Sequence, residues 1–294
     1  MQAALLPDRG VIKVVGDDAR RFLNGLVTAD IGKVALGQPC FAALLTPQGK
    51  IIVDFLVAEA EDVGGFFLDC PKALAPNLVE RLNFYRLRAK VTVEDLSQKL
   101  GVLAVWNGAG KAGHGLVYPD PRLAALGLRC ILPPQLAAEA AAELGAALAD
   151  ASAYEAHRIA QGVPRGGLDF SYGDAYPHET DMDQLGGVDF AKGCYIGQEV
   201  VSRVEHRGSA RTRIVPIVYD GFAPEPGMAV MAGDKNVGTL GSTSAGRGLA
   251  MLRLDRVEDA LAAGLPLLAG GVPVRASKPA WARFAFPGKA GAAG

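Results

Sequence analysis

The side chains best able to do chemistry are concentrated in one run, Asp189-Phe190-Ala191-Lys192-Gly193-Cys194-Tyr195-Ile196-Gly197-Gln198-Glu199. A thiol, an ammonium, an amide, two glycines and carboxylates share it. The pattern predicts a loop that tightens into a helix start just after Cys194. A lysine two positions before that thiol and helix-start N–H groups behind it would both favour thiolate. Cys194 could then serve as a nucleophile, a redox handle or a transient metal or cluster ligand; otherwise a lone cysteine is usually a small buried hydrophobe. Lys192 can pair with a ligand carboxylate or stay solvated. Tyr195 can stack on a ring or merely pack. Gln198 and Glu199 can hydrogen-bond a heterocycle, although Glu199 equally suits the first turn of a helix. Downstream, Arg203, Arg207, Arg211 and Arg213 with His206 form a basic stripe fit for carboxylates or phosphates. An exposed helix face with intrahelical ion pairs is the other reading.

Elsewhere the chemistry thins out. The four cysteines, Cys40, Cys70, Cys130 and Cys194, form no C-x-x-C pair, which argues against a zinc site, a thioredoxin-type motif or a disulfide framework. Asn107–Gly115 is glycine-rich but lacks the Gly-Lys-Ser/Thr ending of a phosphate loop. The glycines of 162–167 lack the strand and helix that frame a dinucleotide fingerprint. Tyr176–Asp183 is an acidic loop with a His-x-x-Asp spacing, a weak metal signal in a segment type that is usually solvated. Thirty basic against 31 acidic residues give a net charge of −1, unlike the overall footprint of a nucleic-acid binder; direct nucleic-acid binding is left to a local basic patch. No uncharged run approaches the roughly 18 apolar residues of a membrane span, and the N-terminus lacks signal-peptide character. The expectation is a cytoplasmic protein with no membrane partner.

The elements that must position these residues follow from periodicity. Val11–Gly16 reads as a strand, and Phe22, Leu23, Leu26 and Val27 recur at helical spacing after Asp17-Asp18. Cys40–Leu45 and Ile51–Ala58 flank Thr46-Pro47-Gln48-Gly49-Lys50 as a hairpin. Pro71–Arg88 and the alanine-rich Pro133–Asp150 read as helices, and Ser152 with Glu155 as the capping box of another. From residue 214 on, short apolar runs between Gly/Pro turns predict a small all-β barrel or sandwich. An α+β body therefore precedes a C-terminal β domain, with a frayed Gly/Ala tail from Pro287.

Lys192–Glu199 matches the K-G-C-Y-x-G-Q-E signature at all eight positions. On that motif the chain resembles the YgfZ-type folate-binding proteins. These are similar to the glycine-cleavage T-protein (aminomethyltransferase), and are implicated in iron–sulfur cluster assembly or repair and, indirectly, in tRNA modification. Val14–Leu23, the Y-E-x-x-R-I-x-x-G-x-P run at Tyr154–Pro164 and Gly238–Ser244 support the likeness over nearly the whole chain. The resemblance implies an α+β, three-domain cloverleaf around a central hole. A first lobe would come from 1–45 with 151–213, a second from 46–150, an antiparallel β-barrel from 214–286, and a disordered tail from 287–294. It also implies tetrahydrofolate or a one-carbon derivative as ligand, iron–sulfur assembly proteins or client enzymes as partners, and Cys194 as the functional thiol. Lys192, Tyr195, Gln198, Glu199 and Arg203 are its folate-binding candidates from the loop and helix. Glu179, in the segment corresponding to the T-protein P-x-E, is implied to hold the pterin ring, since a carboxylate accepts two hydrogen bonds from an amino group and ring N–H. Gly49–Asp54 aligns with the region of the T-protein catalytic aspartate. Val53 stands where one acid would be, so Asp54 alone is left to polarise a folate nitrogen. A folate-dependent aminomethyltransferase or demethylase-like enzyme, and an RNA- or protein-binding module using the arginine stripe, are the alternatives.

Overall fold

Two strands separated by a two-residue turn, β1 (Gln2–Leu6) and β2 (Arg9–Val15), enter different sheets. The computed structural model describes residues 1–108, 110, 114–208 and 210–288. The chain forms two units, Met1–Tyr154 with Leu185–Glu199, and Glu155–Gln184 with Val200–Gly294.

In the first unit β2 is followed by α1 (Ala19–Asn24), β3 (Cys40–Leu45), β4 (Ile51–Ala60), β5 (Gly65–Pro71), α2 (Ala75–Arg86) and β6 (Thr92–Asp95). They build an antiparallel sheet in the order β3-β4-β5-β2-β6. The expected turn at Thr46–Lys50 joins β3 to β4, with Ala43 opposite Asp54. Strand period two sends Val53, Phe55 and Val57 into a core shared with Ile12, Leu23, Leu68, Leu78 and Leu82. Asp54 and Leu56 face the other way, on the side where Asp69 of β5 lies opposite Leu56.

The second sheet of this unit takes β7 (Gly101–Trp106), β8 (Leu116–Pro119), β9 (Leu128–Leu132) and, after α3 (Ala137–Glu143), β10 (Ala147–Leu148), in the order β10-β1-β7-β9-β8. Gly145, at φ 67°, interrupts the alanine-rich stretch just past the helix end, so the expected long helix over 133–150 is instead α3 plus a strand parallel to β1. A buried ionic network ties the two sheets. Asp69 accepts from Arg9 (2.6 Å) and Arg129 (3.3 Å), and Asp120 from Arg122 (2.7 Å) and Arg129 (3.1 Å). Arg129 also donates to the Tyr154 hydroxyl at 2.8 Å. Burial opposes ionisation of Asp120, and the charges of Arg122 and Arg129 overcome it and hold its pKa below the usual range. These pairings correct the expected lobe boundaries. The cut between 45 and 46 falls inside the β3–β4 hairpin, and β1, assigned to the first lobe, pairs with β7 and β10 of the second. Strand partnership across about a hundred residues leaves no local periodicity to read.

After α4 (Ala151–Ala160) and α5 (Gln198–Arg207) come β11 (Thr212–Tyr219), β12 (Ala229–Ala232), β13 (Lys235–Ser244), β14 (Arg247–Arg253), α6 (Leu254–Ala262), β15 (Leu267–Ala269) and β16 (Val272–Ala276). Six strands close into a barrel in the order β11-β14-β13-β12-β15-β16, around Val215, Ile217, Val230, Leu240, Leu252 and Val274. The sequence reading missed α6, whose Leu254, Val257 and Ala260 seat it on that core at helical spacing. Glu155 pairs with Arg158 (2.8 Å) and Arg165 (2.8 Å) rather than completing the expected capping box with Ser152, which lies inside α4. No helix among the described residues is long and apolar enough to cross a membrane. Residues 289–294 of the expected tail, and parts of the 107–115 segment, lie outside the described residues.

Candidate functional site

The signature loop is fixed on both sides of its thiol. Asp189 accepts from the backbone N–H of Ala191 (2.8 Å) and Lys192 (3.1 Å), closing a tight turn, and its other oxygen pairs with Lys33. Lys192 then turns inward. Its Nζ donates to the carbonyls of Asn24 (2.8 Å), Val27 (2.6 Å) and Ala29 (2.6 Å), the segment that leaves α1. Burial draws this ammonium down to about 8, while the charges of Asp30 and Asp189 work the other way. The Tyr195 ring is buried 5.1 Å from the same Nζ, and burial first, then Asp189, pushes its hydroxyl up to about 12. Ile196 packs against the core of the first sheet. Gly197, at φ 82°, passes so close to the β3–β4 turn that a Cβ would stand 2.5 Å from the Thr46 carbonyl oxygen. The Gln198 amide oxygen accepts from the Tyr195 N–H at 3.3 Å, and α5 starts there, four residues beyond Cys194.

Between these anchors Gly193 and Cys194 project. Cys194 is exposed, and a Cβ on Gly193 would meet nothing within 4 Å. Cys70 and Cys130 are buried and Cys40 is half-buried; burial pushes all three thiols up to about 12. The fold therefore presents one thiol to solvent on a short pedestal.

The structure reassigns several sequence candidates. Lys192 spends its donors on three carbonyls rather than on a ligand carboxylate or on activating the neighbouring thiol. Tyr195 packs, and Gln198 holds the loop. Glu199 is exposed in the first turn of α5, as the dipole reading expects, and Arg203 is exposed further along that helix. Asp54 is a mid-strand residue, 8% exposed, close enough to Arg9 for its charge to help hold that guanidinium above its ordinary pKa against burial, behind the larger contribution of Asp69. In the second unit, Glu179 accepts from the Tyr176 N–H at 3.0 Å and lines a cavity of about 300 Å³ with Tyr176, His178, Arg211 and Arg253.

The arginine stripe loses one member: Arg203, His206, Arg207 and Arg211 are exposed, whereas Arg213 is not. Arg213 is buried, donating to both Asp183 oxygens (2.6 and 3.0 Å) and to the His178 carbonyl (2.7 Å). Arg211 lies 3.8 Å from Asp255. Asp181, behind Arg213, sits at φ 61°; burial above all raises its pKa well above the usual carboxylate value despite that guanidinium. His178 Nε2 lies 3.0 Å from Glu205, and His178, Asp183 and Glu205 bring ligand atoms within 4.8 Å of one another. Asp183 is already bidentate on Arg213, which does not favour a cation there. Sequence reasoning also missed Arg158, buried on Asp169 (2.7 Å), Glu155 and the Ser242 hydroxyl (2.9 Å). The available signal was its place in the Y-E-x-x-R run.

Residues 8–109 match the GCVT N-terminal domain family, and residues 211–284 match the CAF17 C-terminal beta-barrel domain. The chain is 34% identical over 230 residues to the iron-sulfur cluster assembly factor IBA57 homolog, mitochondrial, of Mycosarcoma maydis, a match covering 74% of this chain and 57% of that protein. Against the human iron-sulfur cluster assembly factor IBA57, mitochondrial, identity is 32% over 284 residues, covering 87% and 78%. The chain spans a little over half the length of such fungal relatives. A crystal structure of the glycine cleavage system aminomethyltransferase T from Bartonella henselae superposes with a TM-score of 0.71 at 15% identity, over 96% of this chain and 86% of that one. The expected α+β fold of aminomethyltransferase type with a C-terminal antiparallel barrel is the fold observed. The expected cytoplasmic location does not stand, because the matched relatives are named mitochondrial.

Proposed function

Because the chain belongs to the family of the iron–sulfur cluster assembly factor IBA57, we propose that it assists the assembly or repair of iron–sulfur clusters, with Cys194 as its working thiol. The observation that carries this reading is the pedestal: of four cysteines, the fold exposes the one in the signature loop and fixes the residues on either side of it. A protein-bound cluster usually takes four protein ligands. One exposed thiol therefore serves as a shared ligand or acceptor, the remaining ligands coming from an assembly protein or client enzyme that meets the loop. Flanking residues held by the core keep the loop that carries the thiol in place, so a partner's ligands close the site with less ordering cost.

Folate is the second part of the proposal, in the YgfZ-like sense. The residues that fit a pterin are in the second unit. Glu179 offers a carboxylate, Tyr176 lines the same cavity, and Arg211 supplies a cation for a carboxylate tail. Tetrahydrofolate or a one-carbon derivative bound there would add one-carbon chemistry or simply report folate status to the assembly role. Support for tRNA-modifying enzymes follows indirectly, as clients whose clusters are repaired.

Two measurements separate the parts. In a strain that depends on this protein, Cys194→Ala should fail to restore the activity of a cluster enzyme; full restoration refutes the thiol role. Calorimetric titration with tetrahydrofolate should give binding that Glu179→Gln weakens; no heat at millimolar ligand removes folate and leaves the thiol reading standing.

A further inference from the structure

The C-terminal end of α2 presents an apolar knob inside a ring of cations. Leu87 follows the helix at φ 46°, ψ −108°, a strained conformation for a residue with a Cβ, and is 88% exposed. Phe84, one turn back, is 74% exposed and stands edge-on to Tyr85 at 5.2 Å. Beside the knob a groove of about 370 Å³ is lined by Asp18, Arg21, Phe22, Tyr85, Arg86 and Arg88. Arg21, Arg81, Arg86, Arg88 and Lys90 are all exposed here. Asp17 answers Lys90 at 3.6 Å, and Asp18 accepts from the Lys90 N–H, while Arg86 reaches the Val91 carbonyl. Arg21, Arg81 and Arg88 have no carboxylate partner among the described residues.

We propose that this face docks an acidic protein surface, one whose carboxylates meet Arg21, Arg81 and Arg88 and whose apolar recess receives Leu87 and Phe84. Shape and charge together choose this occupant. A lipid headgroup layer would take the knob and the cations but leave the concave groove unfilled. RNA would answer the arginines and stack on Phe84, yet leave an 88% exposed leucine without a partner. A second copy in a two-fold contact would set arginine against arginine. An acidic protein answers all three features, and exposed apolar anchors within a charged rim are the usual anatomy of a protein contact.

The face is also coupled to the signature loop. Arg21 and Phe22 of α1 line the groove, and Asn24 at the end of the same helix holds Lys192 through its carbonyl at 2.8 Å. A partner seated on the groove thus grips the helix that anchors the thiol loop. The docking inference does not rest on the cluster or folate readings.

The test places a p-benzoylphenylalanine photocrosslinker at Asn83, exposed on α2, in the full chain expressed in its own organism. Irradiation should give an adduct to one protein, joined at an apolar stretch flanked by Asp and Glu. Its yield should fall about tenfold when Leu87→Gly is combined with Arg88→Glu, and hold when Arg88→Lys is used alone. Glycine relieves the positive φ at position 87, so that variant folds at least as well. Cys194→Ala should leave the adduct unchanged, which keeps this outcome separate from the thiol reading. No adduct, an adduct to RNA, to lipid or to a second copy of this chain, or a yield indifferent to the double variant would each overturn the proposal.

Discussion

Replacing Lys192 with methionine shortens the side chain by its terminal atom and removes its three donors. The carbonyls of Asn24, Val27 and Ala29, now 2.6–2.8 Å from Nζ, would then face a thioether in a site where Lys192 is only 9% exposed. Each buried acceptor left without a donor costs about 1 kcal/mol at the low end, so three cost about 3 kcal/mol. Methionine recovers part of the desolvation that draws the ammonium down to about 8. The groups left behind are neutral, which places the net loss at or below the low end of the roughly 3–5 kcal/mol for breaking a buried ion pair, at about 2–3 kcal/mol. For a unit of this size a loss of that magnitude lowers the melting temperature by roughly 4–12 °C. A thermal melt reads the total, and hydrogen exchange reads the place. The amides of Asp189, Ala191 and Lys192, which now donate to Thr28 and Asp189, should lose protection, while those of the barrel strands keep theirs. A variant that melts within about 1 °C of the parent, with the loop amides as protected as before, would refute the view that this ammonium builds the pedestal.

The remaining expectations concern the same loop. Titration of the native protein with a thiol reagent near neutral pH should modify Cys194 quickly and the other three cysteines only on unfolding, since burial pushes those to about 12; fast reaction of two or more thiols contradicts the assignment. Gly197→Ala should cost about 1–3 kcal/mol through its positive φ and the Thr46 carbonyl, whereas Gly193→Ala should stay within about 0.5 kcal/mol in urea melts. The pH dependence carries two opposite signs. Lys192 is lowered from 10.5 to about 8, so the unfolded chain binds its proton more tightly, and its contribution to stability rises as pH climbs from 8 to 10.5. Tyr195 is raised from 10.0 to about 12, so its contribution falls as pH climbs through that interval. The stability gap between the parent and Lys192→Met should therefore widen in favour of the parent between pH 7.5 and 10, and a gap constant with pH would contradict the shift.

Local pattern was enough to find the signature run, the β3–β4 hairpin, the C-terminal β domain and the α+β class, because each is written in neighbouring residues: an eight-residue motif, a turn between apolar runs, short strands between glycines and prolines. The sequence by itself also marked Cys194 as the thiol to explain. Tertiary structure alone decided what surrounds it. Lys192 and Arg213 look like solvated cations in a linear reading, yet each is drawn inside because acceptors from distant segments, the carbonyls after α1 in one case and Asp183 in the other, converge where the chain folds back. Strand partnership likewise separated β1 from β2 although two residues join them. Exposure, the property that distinguishes Cys194 from Cys40, Cys70 and Cys130, belongs to the packed chain rather than to any residue's neighbours in sequence, since it is set by which surfaces the remaining elements cover.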